Sequence, residues 1–296
     1  MKICALVIMT MLLLCFAQAW CQNSESPSRE ALDQHRQFSR YTDPGTYSTL
    51  YENCPESTKD LCALIKHQLI HPFELDQFQD QVPEDRRFED RECPTVAEML
   101  ERLLERDSRG LVMDRKPADR LIVACVHHSM LLASILRYRG VPVRIRSGYA
   151  TYIGGDQGYR VTHVVCEVWD AENQNWFLVD PDRNMVDFPR SKFIFANQAW
   201  RMWKDGTLDP DKFISRHDSP ARAIVHLLCH DLSYVLGDED IYWQDPPIVV
   251  KFKPTLAEND EFHIALLDQL AGYLDQPEHH LERLVTLQAE HPDLQF

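Results

Sequence analysis

Apolar residues recur at helical spacing in several separated stretches of the chain and at alternate positions in one central block. Leu61, Leu64, Ile65 and Leu69 share one face of a predicted helix over residues 57–71, which Pro72 ends. Thr95 and Glu98 have the spacing of a capping box, ahead of the stripe Val96, Met99, Leu100, Leu103 and Leu104. Met130, Leu131 and Ile135 recur at helical spacing within residues 121–139, where Gly140 and Pro142 stop the helix. Residues 143–152 then alternate as a strand, and Gly154, Gly155 and Gly158 mark a loop. Residues 162–169 and 176–179 read as two more strands, joined by a polar turn over 170–175. Further helices are expected over 189–205 and 221–236, and a helical pair from about residue 255 is broken at Pro277. Residues 20–45 read as an extended or disordered lead-in, and residues 73–94 as acidic and irregular. A helix followed by an antiparallel meander is an α+β signature.

The first residues change this picture. An apolar run from Ile3 to Ala17 follows Lys2 and leads to the small-x-small site Ala17-Gln18-Ala19. This reads as a signal peptide for residues 1–19, cut after Ala19, giving a secreted or periplasmic protein with no membrane span in the mature chain. The rival reading is an N-terminal anchor, for which the run is short. A formal net charge of −15 argues against nucleic acid and anionic membrane surfaces as partners.

Nine cysteines are present, and removing Cys4 and Cys15 with the leader leaves seven. An odd number in an exported protein leaves at least one thiol outside any disulfide framework. If that thiol is Cys125, the other six allow up to three bridges, and one among Cys54, Cys62 and Cys93 is plausible. A zinc site is the competing use of so many Cys and His, but no C-x-x-C pair occurs.

Cys125 stands at or near the start of its predicted helix. Unpaired N–H groups and the helix dipole favour an anion there, which lowers a thiol pKa. His163 and Asp180 fall on opposite arms of the predicted hairpin. Their positions sum to 343, odd like the sum for a turn near Ala171-Glu172, so both side chains are expected on one face. A carboxylate so placed holds the imidazole in one tautomer, and the imidazole takes the proton of the thiol. By the same parity Cys166 faces the other way, buried or bridged. The plain alternatives are a core cysteine, a structural histidine and turn chemistry at Asp180-Pro181. His226, His230 and Asp231 at helical spacing read as helix-surface or packing residues rather than a metal corner. His279 and His280 read as solvated, and Trp200, Met202 and Trp203 as core or a pocket wall.

These residues carry a resemblance. Ala124-Cys125-Val126-His127-His128, with Leu131-Leu132, Arg137, Gly140-Val141-Pro142-Val143-Arg144 and Gly148-Tyr149, resembles the core motif of transglutaminase-like proteins. His163-Val164-Val165-Cys166-Glu167-Val168-Trp169 resembles the strand that carries the family's histidine. Trp176-Phe177-Leu178-Val179-Asp180-Pro181 resembles the closing strand whose Asp precedes Pro. The resemblance, to exported proteins of bacterial type, implies a papain-like fold with Cys125 as nucleophile, His163 as base and Asp180 as its orienter. It departs at His127 and His128, where the family often has an acidic residue and an aromatic, and at Val165, which replaces a tryptophan. Both histidines read as polar packing at a pocket rim, with His128 the nearer to the face of Cys125.

The expectation is therefore an α+β protein. Its transglutaminase-like, papain-like core spans residues 91–190, with the Cys-bearing helix packed on an antiparallel sheet. A partly helical extension covers 20–90, and a helical one covers 191–296. The expected activity is thiol-dependent acyl transfer on a peptide or protein amide substrate. Hydrolysis is favoured over amine crosslinking, with neither metal nor organic cofactor needed. The alternatives are a non-catalytic binding module and a structural protein in which Cys125 is bridged.

Overall fold

Capping side chains and β-branched pairs fix the first elements. The computed structural model describes residues 26–83, 85–86, 88–240 and 243–296. The expected leader, its cut after Ala19 and Cys21 lie outside the described residues. Residues 26–45 are not a bare lead-in. Ser28 accepts a hydrogen bond from the backbone N–H of Ala31 and starts α1 (Arg29–Gln34). A 3-10 segment follows at Gly45–Tyr51. Ser57 caps α2 (Thr58–Gln68). That helix ends earlier than its apolar stripe suggests, because Leu69–Ile70 form a short strand, β1. His71 then caps the 3-10 segment Pro72–Phe78 by accepting from the Phe73 N–H at 3.2 Å. Both halves of the Thr95–Glu98 capping box are formed at α3 (Val96–Arg106).

The segment from residue 121 opens not as helix but as β2 (Leu121–Ile122), parallel to β1 with Leu69 opposite Leu121. Helix α4 starts at Cys125 and runs to Tyr138 (Cys125–Tyr138). The meander follows as β3 (Val143–Gly154), β4 (Tyr159–Asp170) and β5 (Asn175–Asp180), with β6 (Met185–Val186) on the edge. Residues 189–205 depart from the predicted helix. Phe193–Phe195 form β7 on the free side of β3, and only the remainder is helical, as α5 (Ala196–Lys204). Aromatic and β-branched side chains suit that pleated edge better than a helix. Next come β8 (Phe213–Ile214), α6 (Pro220–Val235), α7 (Pro247–Lys251), α8 (Glu261–Tyr273) and α9 (Leu281–Glu290).

Among the described residues the strands form a six-stranded sheet in the order β6-β5-β4-β3-β7, with β8 parallel to β4. One core lies between the sheet and the N-terminal helices. It joins Val143, Ile145, Val164, Cys166 and Val168 to Leu131, Leu132 and Ile135 of α4 and to Leu61 and Leu100. A second core, around Trp200, Leu228, Leu267 and Leu284, belongs to the C-terminal helices and meets the sheet at Tyr149. Trp200 is thus core, its indole N–H donating to Asp268 at 2.9 Å. This is an α+β fold with a papain-like core.

The expected disulfide among the N-terminal cysteines is not formed. Among the described residues Cys54, Cys62, Cys93, Cys125, Cys166 and Cys229 are all buried and outside any disulfide. Cys54, Cys62, Cys93, Cys166 and Cys229 act as small core residues. Cys166, for example, faces α4 and sets its sulfur 3.5 Å from the Ser129 carbonyl oxygen.

Between the layers sits a buried charge network. Arg146 of β3 donates Nε and Nη2 to Asp231 of α6 at 2.9 and 2.8 Å, and Nη1 to Glu167 of β4 at 2.8 Å. Arg144 donates to the same Glu167 oxygen at 2.6 Å. Burial would push the Glu167 carboxyl up, but the guanidinium groups of Arg144, Arg146 and Arg190 hold it well below the usual range. Removing one member strands a charge in the interior. Asp231→Leu is therefore expected to cost about 3–5 kcal/mol in urea unfolding, and the paired Arg146→Met/Asp231→Leu variant to recover much of it.

Candidate active site

Helix α4 begins without the usual N-terminal support. Its N-cap is Ala124, whose side chain offers no hydrogen bond, and no acidic residue lies in the first turn. The first residue of the helix is Cys125, so its sulfur is the group nearest the unpaired N–H ends. Asp90 holds the entry by accepting from the Ala124 N–H at 3.0 Å. The thiol is 5% exposed and opens on a cavity of about 340 Å³.

His163 reaches this sulfur from β4 and hydrogen-bonds to it, as does His71 from the residue after β1. The parallel pairing of β1 with β2 is what brings His71 beside the start of α4. His71 Nδ1 accepts from the Phe73 N–H, so its proton sits on Nε2. Burial alone would raise the Cys125 thiol. The charge and hydrogen bond of His163, then those of His71, outweigh it and bring the thiol down to about 6. For His163 burial works against the charged form, but Asp180 and Cys125 raise its pKa well above the ordinary value.

Asp180 accepts from His163 Nε2 at 2.8 Å. The strand register differs slightly from the expected one. Cys166 faces Val179, which puts Asp180 opposite Val165, two residues along from His163 on the same side of the sheet. The odd sum of positions survives, and the two side chains meet diagonally. The second partner of the same Asp180 oxygen is Tyr152, whose hydroxyl donates at 2.6 Å. The other oxygen accepts from the Arg183 N–H at 3.0 Å. Tyr152 also sets its ring edge-on to His163, with centroids 6.2 Å apart.

His127 and His128 do not stand at a pocket rim. Both are fully buried beneath the site. His128 Nδ1 lies 3.1 Å from the Ala124 carbonyl oxygen, and its Nε2 lies 3.6 Å from Asp182. Burial, offset only partly by Asp182, lowers His128 to about 3. Burial would push Asp182 up, but His128, His71, His163 and Lys66 hold it below the carboxylate range. His71, Tyr152 and Asp182 were not singled out from the sequence. Only the hairpin parity could have found Tyr152 or Asp182, and nothing local marks His71.

Elsewhere in the cavity wall, Pro72, Phe73, Phe88, Val161, Ile214 and Trp243 are apolar, and Arg216, His217 and His226 are the polar counterparts. His226, Asp231 and His230, read together from the sequence, part company. Asp231 turns to Arg146, His226 faces the cavity, and His230 meets its ring edge-on at 4.3 Å between ring centroids.

A buried thiol at a helix start, hydrogen-bonded to an imidazole from an adjoining antiparallel sheet, defines a papain-like α+β protein. Residues 117–181, from just before β2 to just after β5, match the family model of the transglutaminase-like superfamily. The chain thus carries a transglutaminase-like domain. A comparison with curated proteins found no match, nor did one with solved structures. No helix among the described residues is long and apolar enough to cross a membrane.

Alkylation by iodoacetamide should report the thiol directly. The Cys125 thiolate is populated above about pH 6 and is lost as pH falls through that value. Its modification rate should therefore level off near neutrality. Cys54 and Cys93, which burial pushes up to about 11, should stay unmodified until the protein unfolds. His163→Ala should move the Cys125 midpoint most of the way to the free value of about 8.5, with Asp180→Ala intermediate. An unchanged midpoint in His163→Ala would show that the imidazole does not support the thiolate.

Proposed function

We propose that the protein is a thiol-dependent acyltransferase acting on peptide or protein amides, with hydrolysis as the main outcome. The observation that carries this reading is a thiol at a helix start, hydrogen-bonded by His163 and His71 with His163 in turn held by Asp180, at the mouth of an apolar cavity. In this reading the Cys125 sulfur attacks the amide carbonyl as a thiolate. His163 Nε2 is engaged by Asp180, so Nδ1 faces the sulfur and gives its proton to the leaving amine. Water then attacks the thioester while the same nitrogen takes its proton. Asp180 fixes the tautomer, and Tyr152 fixes Asp180.

The oxyanion needs two donors. The Cys125 N–H at the open start of α4 is one, and His71 Nε2–H is the other. The lining favours an acyl group with a large apolar or aromatic side chain, through Phe73, Phe88, Ile214 and Trp243. The same lining supports hydrolysis over crosslinking. Among the described residues its lining holds a guanidinium, Arg216, and the neighbouring carboxylate of Asp245 is already engaged by Arg216, His217 and His226, so a lysine ammonium finds no free partner. Export through a leader cut after Ala19 remains part of this proposal, as does the division into a core over 91–190 with flanking extensions.

The test is a library of fluorogenic peptide amides, assayed with and without a primary amine. Hydrolysis with a preference for an apolar acyl residue is expected, and Cys125→Ala should reduce kcat/KM by at least about 10⁴. His71→Ala should lower kcat by about 10²–10³. Binding of the same peptides without turnover would instead identify a non-catalytic module, and preferential amine incorporation would reverse the order of the two outcomes.

A further inference from the structure

A second cluster of ligating side chains lies beside the same cavity, with His217 and His226 in its wall. His226 projects from α6 and is almost fully buried. His217 comes from the turn that precedes this helix, and Asp245 from the segment leading into α7. His217 Nε2 lies 3.0 Å from Asp245 Oδ1, and His226 Nδ1 lies 2.7 Å from the same oxygen. The three atoms fall within 4.8 Å of one another. The His226 contact is close, yet Nδ1 is a buried nitrogen without a properly aligned hydrogen bond. A buried imidazole nitrogen facing a carboxylate in a poorly aligned contact is an arrangement that a cation between them completes.

We propose that His217, His226 and Asp245 form a binding site for a divalent transition-metal ion of the zinc class, with its open coordination position facing the cleft. Two imidazoles and one carboxylate are borderline ligands that suit zinc or cobalt rather than magnesium or calcium. Tetrahedral bonds of about 2.0–2.2 Å put ligand atoms roughly 3.3 Å apart, so the two Asp245 contacts, now 3.0 and 2.7 Å, need to lengthen by about 0.3 and 0.6 Å. The carboxylate can supply that movement, since Asp245 is on an exposed segment. Arg216 shares Asp245 Oδ1 at 3.2 Å and must give it up. It is partly exposed, and its guanidinium already lies 5.9 Å from the Trp243 ring centre, so it keeps a resting place. Three protein ligands leave the fourth position to water or to a group in the cleft, and both histidines line that cleft. An ion there narrows the approach to Cys125 and regulates it. The other compact set of possible ligands, His163, Asp180 and Asp182, has its atoms engaged in the thiol site and is a competitor for the ion.

The experiment is a Co²⁺ titration of the full chain carrying Cys125→Ala, followed by visible absorption. One ion per chain is expected, with the intense d–d bands of a low-coordinate site. Adding His226→Gln or Asp245→Asn should weaken binding at least tenfold. Undiminished binding in the His217→Ala/His226→Gln double variant would overturn the site and move the ion to the His163 cluster, and no binding at all would overturn it outright. A second readout keeps the wild-type thiol. Zn²⁺ should slow iodoacetamide modification of Cys125 in the wild-type chain but not in His226→Gln. Equal slowing in both would place the ion on the thiol itself and defeat the proposal. This readout needs no turnover, so it stands whether or not the amidase reading holds.

Discussion

The buried guanidinium of Arg146 is the constraint on which most of the molecule depends. It sits between Glu167 of the neighbouring strand and Asp231 of α6, and it adds a bond to the Leu274 carbonyl at 3.1 Å. Asp231 also accepts from the Ser147 N–H at 2.9 Å. One side chain thus ties two strands to the C-terminal helices. Charges this deep are costly to leave unpaired, so the pairing disfavours registers and docking arrangements that separate them. Gly148, two residues beyond Arg146, faces His163 across the β3–β4 ladder. His226 lies five residues before Asp231 on α6. The same network therefore sets both the imidazole beside the thiol and the opposite wall of the cleft.

The thiol itself is a balance of opposed effects. Burial favours the neutral sulfur, and the result is decided by how many hydrogen-bonding or cationic groups reach it. Two imidazoles and an uncapped helix start do so, from three separate parts of the chain. The carboxylates are kept one step away. Asp180 is occupied by His163, Tyr152 and the Arg183 N–H, and Asp182 faces His128 and Lys66. Negative charge thus supports the imidazole of His163 without touching the sulfur. His128, buried and neutral, works as a spacer beneath the site rather than as a base.

Much of this was legible in the sequence because it is local. The capping box at Thr95, the stop at Gly140, the meander and the helix beginning near Cys125 depend on residues a few positions apart. The face shared by His163 and Asp180 followed from parity alone, and parity is insensitive to the small register difference that the structure contains. Where local rules failed, a distant partner overrode them. Phe193–Phe195 became strand rather than helix because β3 offered a free edge. Leu69–Ile70 left the α2 helix because β2 lay alongside.

The sequence by itself determined the α+β class, the order of the core elements and the trio Cys125, His163 and Asp180 as one cluster of chemistry. It did so because hydrophobic periodicity and hairpin parity are properties of neighbouring residues. Only the tertiary structure brought His71 to the sulfur, Tyr152 to Asp180, and His217, His226 and Asp245 to one point beside the cleft. Those meetings join segments far apart along the chain. They depend on a two-residue parallel bridge, on strand register and on the docking of α6 against a buried arginine, none of which leaves a periodic signal in the residues themselves.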